Sequence, residues 1–186
     1  MNDMSDGRAL KLISPLTWQE VFGIWEKIEG PLPHWIEHYK KRGFASWKEW
    51  RTRSTAPIHP ETLTWELYDI VEPMKSIPSF RGGPFHSWIN NIYEGVEMPP
   101  FSEIVKNETI RSRIHQSGFI ERFPSKTTLT GLRWGPDIVV IEGMHRCCTI
   151  ALATQEGRSI PAQVSIALAS FPFPAIPFLG HPDSPT

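Results

Sequence analysis

Glu142, Gly143, Met144, His145 and Arg146 follow one another in a chain of 186 residues, directly after four β-branched residues, Ile138 to Ile141. The β-branched run has the composition of a buried strand. Gly143 permits a sharp turn, and Cys147, Cys148, Ile150, Ala151 and Leu152 favour a helix packed back on that strand. A strand that turns directly into a helix leaves the first helical N–H groups without intrahelical partners. Those groups, together with the helix dipole, attract an anion. His145 and Arg146 stand beside that pocket, and a guanidinium can grip two phosphate oxygens at once. Glu142 is the nearest acid and could hold magnesium or act as a base. Plainer roles fit the same residues: Glu142 bound to the N–H groups of the turn, Arg146 as a local cap or ion pair, His145 as a helix-start residue.

Two further patterns have chemistry in them. In Ser79-Phe-Arg-Gly-Gly-Pro-Phe-His-Ser-Trp88, Gly82 and Gly83 can take positive φ beside Arg81, which makes the stretch a second candidate phosphate cradle. A plain turn forced by Pro84 explains it equally well. His34-Trp-Ile-Glu-His38 matches the H-x-x-E-H pattern of inverted zinc peptidases, with His34 and His38 as ligands, Glu37 to activate water, and Glu103 or Glu108 as the third ligand. The competing explanation is a polar helix face with Trp35, Ile36 and Tyr39 turned to the core, and no stoichiometric zinc is expected. The only cysteines are adjacent, which disfavours a disulfide and suits two small buried residues on a helix. They point to a reduced, cytoplasmic location.

The stretch Glu142-Gly-Met-His-Arg146, with the small-residue helix after it and a strand over 160–168, resembles the Gly-x-His-Arg signature of the ParB/sulfiredoxin-like superfamily. The resemblance covers residues 64–169. It implies an α+β fold with a small mixed sheet and a nucleotide phosphate at the turn, held by Gly143, Met144, His145 and Arg146. The implied ligand is a nucleotide di- or triphosphate, with magnesium as an optional companion. Phosphoryl transfer or hydrolysis, with Glu142 and His145 as catalytic groups, would be the second step. In that fold the loop after the first strand lies at the same end of the sheet as the His-Arg turn. The resemblance therefore implies that Arg81, Gly82 and Gly83 close over the ligand, with Arg81 reaching the outer phosphate. Three departures matter. The position of the reactive cysteine of sulfiredoxins is Met144 here. The loop that supplies a carboxylate in the serine kinases holds Ser79 and Arg81 and no acid. No helix-turn-helix module follows Leu168, so no sequence-specific DNA module is expected. A non-catalytic module that senses a nucleotide, or acts on a protein partner through its tryptophan-rich N-terminal helices, is the alternative of another class.

The elements that must position these residues are legible in outline. Thr17-Trp-Gln-Glu20 and Ser46-Trp-Lys-Glu49 are capping boxes. Trp18, Val21, Phe22, Trp25 and Ile28 recur at helical spacing, and Gly30-Pro31 ends that helix. A second helix is expected over 33–42 and a third after Ser46, with Met1 to Lys11 polar and frayed. Strands are expected over 65–71, 127–134, 138–141 and 160–168, the middle two forming a hairpin about Gly135-Pro-Asp137. Helices are expected up to Tyr93, over 102–116, and from Met144 to near Gly157. The domain plan is then an N-terminal helical extension over 1–60, the α+β domain over 61–169, and an extended proline-rich tail over 170–186. Nineteen basic and twenty acidic side chains leave a net charge of −1, which argues against holding duplex nucleic acid by bulk charge. No apolar run reaches membrane-spanning length and no signal peptide is read, so no membrane partner is expected.

Overall fold

The computed structural model describes residues 10–180. It is an α+β structure with a single six-stranded mixed sheet and, among the described residues, eight α-helices. The strands are β1 (Leu10–Leu16), β2 (Trp65–Ile70), β3 (Arg81–Gly82), β4 (Lys126–Trp134), β5 (Asp137–Glu142) and β6 (Gln163–Ser170), in the spatial order β1-β2-β6-β4-β5-β3. The β4–β5 hairpin is antiparallel and turns at Gly135-Pro136, as the sequence leads one to expect. β4 lies parallel to β6, and β3 parallel to β5. No helix among the described residues is long and apolar enough to cross a membrane.

Both faces of the sheet are covered, and the pleat divides the strand residues between two cores. Ile138 and Val140 of β5 face one core, with Leu129, Val164, Ile166 and Leu168. Val139 and Ile141 face the other, with Leu132, Ala167 and Ala169. The first face is packed by α4 (Pro73–Ser76), α5 (His86–Asn91), α6 (Phe101–Ile104), α7 (Glu108–Ser117) and α8 (Met144–Gln155). The second is packed by α1 (Trp18–Glu29), α2 (Pro33–Lys41) and α3 (Trp47–Thr55). The first sixty residues therefore supply the edge strand β1 and one covering layer of the same sheet.

Helix α1 starts where the capping box predicts: Thr17 Oγ1 accepts from Glu20 N and the Glu20 carboxylate accepts from Thr17 N. Its Trp25 is buried and donates from Nε1 to Thr130 Oγ1 of β4 at 2.5 Å, which ties the helical layer to the middle of the sheet. Buried aromatic area of this size is the main apolar glue of that layer.

Three expectations are corrected. Lys11 belongs to β1, so only residues 1–9 of the stretch expected to fray lie outside the described residues. The helix expected over 102–116 is two helices, α6 and α7, because the Asn107 side chain accepts from Thr109 N and Ile110 N and restarts the turn. The last strand begins at Gln163, three residues after Ile160. Beyond β6, Phe171, Ile176 and Leu179 are buried, so the proline-rich segment lies on the domain as expected as far as residue 180; residues 181–186 are outside the described residues.

Candidate functional site

The turn between β5 and α8 is built as the sequence suggests. Gly143 sits at φ 97°, and a Cβ there would meet Leu129 Cδ2 at 2.4 Å, so both the conformation and the space exclude other residues. Gly143 is the N-cap of the twelve-residue helix α8, and no side chain caps the first turn. The early N–H groups of the helix are thus left to solvent or a ligand.

Arg146 takes the local role. It is 8% exposed, and its Nη2 pairs with Glu142 Oε1. Its Nη1 donates to Thr127 Oγ1 and, at 2.9 Å, to the Thr128 carbonyl oxygen. The guanidinium stitches α8 to β5 and β4 and has little left for a phosphate, although it borders the cleft described below. Glu142 is 6% exposed, and its Oε2 has no partner among the described residues. Burial pushes its pKa up, Arg146 opposes that, and the nearby Glu29 carboxylate adds to the rise.

His145 points the other way. Its side chain is exposed, and its ring centre lies 5.1 Å from that of Trp88 of α5, the two rings tilted by 54°. The walls around it, then the positive charges of Arg113 and His34, push its pKa down to about 4. Water reaches the ring, and the imidazole is neutral at neutral pH.

These residues line a cleft of about 970 Å³ between the helical layer and the end of the sheet. Lys126, Thr127, Thr128, Phe85, His86 and Trp88 line the sheet side with the turn; Lys27, Glu29, His34, Trp35, His38, Trp50 and Arg51 line the other. On that side a second buried ion pair repeats the Glu–Arg theme. Arg51 Nη2 meets Glu29 Oε1 at 2.5 Å and Arg51 Nε donates to Oε2 at 2.7 Å. Trp47 Nε1 donates to the same carboxylate at 3.1 Å, and the guanidinium lies 4.1 Å from the Trp50 ring centroid.

The second cradle does not form as expected. Gly82 and Gly83 are absent from the positive-φ residues; they are glycines for close approach. A Cβ on Gly82 would meet Tyr93 Oη at 2.2 Å, and one on Gly83 would meet the Val140 carbonyl oxygen at 2.5 Å. Gly83 N donates to Met144 Sδ at 3.4 Å, so the loop does reach the end of the sheet that holds His145, but it packs beneath Met144 and outside the cleft lining. Arg81 lies at the other end of β5, with Nε 2.8 Å from Asp137 Oδ2 and Nη1 donating to the Met98 carbonyl oxygen. It is not placed to reach a phosphate at the turn. Gly83→Val is therefore expected to lower the melting temperature through overpacking, about 1–3 kcal/mol or more, and not to act on affinity alone. A variant that melts like the parent would show that the strand contact is loose.

His34 and His38 do share the cleft face of α2, yet Glu37 is drawn off to Lys41 at 2.8 Å. Glu103 pairs with Lys106, and Glu108 accepts from Ser112 Oγ. No group of three His, Cys, Asp or Glu side chains able to hold a metal ion occurs among the described residues. Cys147 and Cys148 are free and buried, and burial pushes both thiols up, which removes the thiolate that redox chemistry needs.

Apart from His34 and His38, the N-terminal helices line the cleft through residues that the sequence does not mark as site residues. The one sequence signal was the His34/His38 spacing, which marked a face turned to a common space. No protein-family model, curated protein or solved structure matches this chain.

Proposed function

We propose that the chain is a nucleotide-binding protein of the ParB/sulfiredoxin-like type, with the phosphate at the first turn of α8 and the base on the Trp88 side of the cleft. The observation that carries the reading is the uncapped N-terminus of α8, opening with neutral His145 into a large cleft walled by aromatic rings and edged by Lys27 and Lys126. Main-chain N–H groups of Met144, His145 and Arg146 would donate to phosphate oxygens, and His145 would add one ring N–H. Arg146 acts as scaffold, fixing the turn through Glu142 and Thr127. This differs from the direct grip that the motif alone suggests. From β2 onward, the order strand, helices with the two-residue β3 among them, hairpin, helix, strand supports the fold type, and the resemblance at Gly143, His145 and Arg146 supports the ligand class.

Turnover is the further step. His145 is the histidine at the α8 turn and would be the group beside the phosphate to take a proton, while Glu142 is committed to Arg146. Both cleft carboxylates are held by arginines, and that pairing favours the second reading, a non-catalytic nucleotide sensor. Calorimetric titration with mononucleotides, with and without magnesium, followed by a phosphate-release assay, separates the cases. Saturable binding is expected, weakened roughly threefold to tenfold in His145→Ala, the scale of one neutral hydrogen bond. Absence of binding by every nucleotide would remove the proposal; binding without phosphate release would select the sensor.

A further inference from the structure

We propose that the cleft takes a ligand of two bases joined through phosphate, a dinucleotide, with the second base held by the N-terminal helices. This rests on the phosphate reading above and adds a second ring site to it.

The volume is the first ground. About 970 Å³ lies at the top of the range for sites that enclose a small molecule, and it spans two separate layers of the fold. The second ground is that aromatic rings line both walls. Trp88 and His145 stand on the α5–α8 side, 5.1 Å apart. Opposite them, His34, Trp35 and His38 form a ring cluster on α2 with centroid spacings of 5.0 and 5.3 Å, backed by Trp50 at 5.3 Å from Trp35. Every base has a π-face, so such platforms accept bases of any identity. Each wall carries its own ring surface, and a ligand with two bases can use both.

Charge supplies the third ground. The two carboxylates lining the cleft, Glu29 and Glu142, are each neutralised by their own arginine. Lys27 and Lys126, one from each wall, then set the sign of the space between the ring clusters, which suits a linking phosphate at the α8 N-terminus. The fourth ground is Glu142 Oε2, an acceptor buried at this same turn and without a partner among the described residues. A ligand hydroxyl such as that of a ribose would satisfy it.

The test is titration of the full chain, followed by tryptophan fluorescence and calorimetry, with adenosine monophosphate, adenosine diphosphate, a pyrophosphate-linked diadenosine, a 5′-phosphorylated 3′,5′-linked diadenosine, and a longer oligoadenylate. One of the two dinucleotides is expected to bind about tenfold or more tighter than either mononucleotide, the scale of one added base stack. Which one does so assigns the linkage. His34→Ala, an exposed position, and Trp35→Leu should each bring dinucleotide affinity down towards the mononucleotide value and leave mononucleotide affinity in place. His145→Ala should weaken both classes. Dinucleotides that bind no tighter than mononucleotides, or variants at His34 and Trp35 with no selective effect, would overturn the second ring site and leave the phosphate site standing. Affinity that keeps rising with strand length would overturn the two-base limit in favour of a strand-binding groove. Failure of every probe would overturn this inference and the phosphate reading together.

Discussion

Arg146→Ala is expected to cost about 3–5 kcal/mol of folding stability at neutral pH, the range for breaking one side of a buried ion pair. The variant leaves Glu142, 6% exposed, without the guanidinium that compensates it, and frees Thr127 and the Thr128 carbonyl oxygen inside the structure. A domain of ordinary stability loses a large fraction of its margin by such a change. The loss should shrink in mild acid. Glu142 already has a raised pKa in the folded chain, and removal of Arg146 raises it further. A group whose folded pKa lies above its unfolded value favours the fold at low pH, and that contribution disappears as pH rises through the folded value. Denaturant unfolding of parent and variant at several pH values measures the difference. Glu142→Gln combined with Arg146→Met should recover most of the loss, since no unpaired charge remains. A stable Arg146→Ala variant at neutral pH, with only ligand binding affected, would mean that the guanidinium serves the ligand and the ion pair is incidental.

Arg51→Ala should be comparably damaging, about 3–5 kcal/mol, and its effect should concentrate in the helical layer. Among the described residues, Glu29 would keep only the Trp47 indole N–H as a partner. The variant also loses the stacking of the guanidinium over Trp50 and, at 5.1 Å, over Trp35. Hydrogen exchange is the fitting readout, because it reports local opening separately from global unfolding. Faster exchange is expected across α1, α2 and α3, with β4, β5 and α8 less affected. Uniform acceleration over the whole chain would show that the two layers unfold as one unit. Because Glu142 feels the charges of both Glu29 and Arg51, the effects of Arg51→Ala and Arg146→Ala should fail to add.

Much of the frame was legible because it depends on neighbours in sequence. Thr17 and Glu20 are three apart and make both bonds of the capping box. Gly135-Pro136 turns the hairpin, and the run from Ile138 to Ile141 passes through Gly143 into α8 as its residue types require. β1 was not legible. It is an edge strand with Leu12 and Ile13 exposed and Pro15 within it, so it lacks the alternation that marks a strand with one buried face. The α6–α7 break rests on one Asn side chain turned back to the backbone, which periodicity averages away.

The site was half legible, for the same reason. The glycine at positive φ and the helix start follow from local order. The commitment of Arg146 to Thr127 and Thr128 does not, since those partners lie eighteen and nineteen residues away. Trp25 and Thr130 are separated by 105 positions, and the packing of Val21, Trp25, Trp47 and Trp50 with Leu132, Val139 and Ile141 that sets α1–α3 on the sheet is just as remote in sequence. The second wall of the cleft is therefore a product of tertiary packing. Arg81 failed as a phosphate ligand because Asp137, at the start of β5, competes for it.

The most direct measurement of the central claim is the titration of the His145 imidazole by NMR, in the free chain and at saturating nucleotide. The free ring should titrate well below the ordinary histidine value, for the walls of the cleft and the charges of Arg113 and His34 disfavour imidazolium. A phosphate beside the ring favours imidazolium, so the midpoint should move up on binding. Binding then takes up a proton between the two midpoints, and affinity should tighten as pH falls through the bound midpoint towards the free one. That upward movement, absent in a control with the nucleoside lacking phosphate, is the result expected. A His145 midpoint that is the same with and without saturating nucleotide would place the phosphate elsewhere and contradict the account.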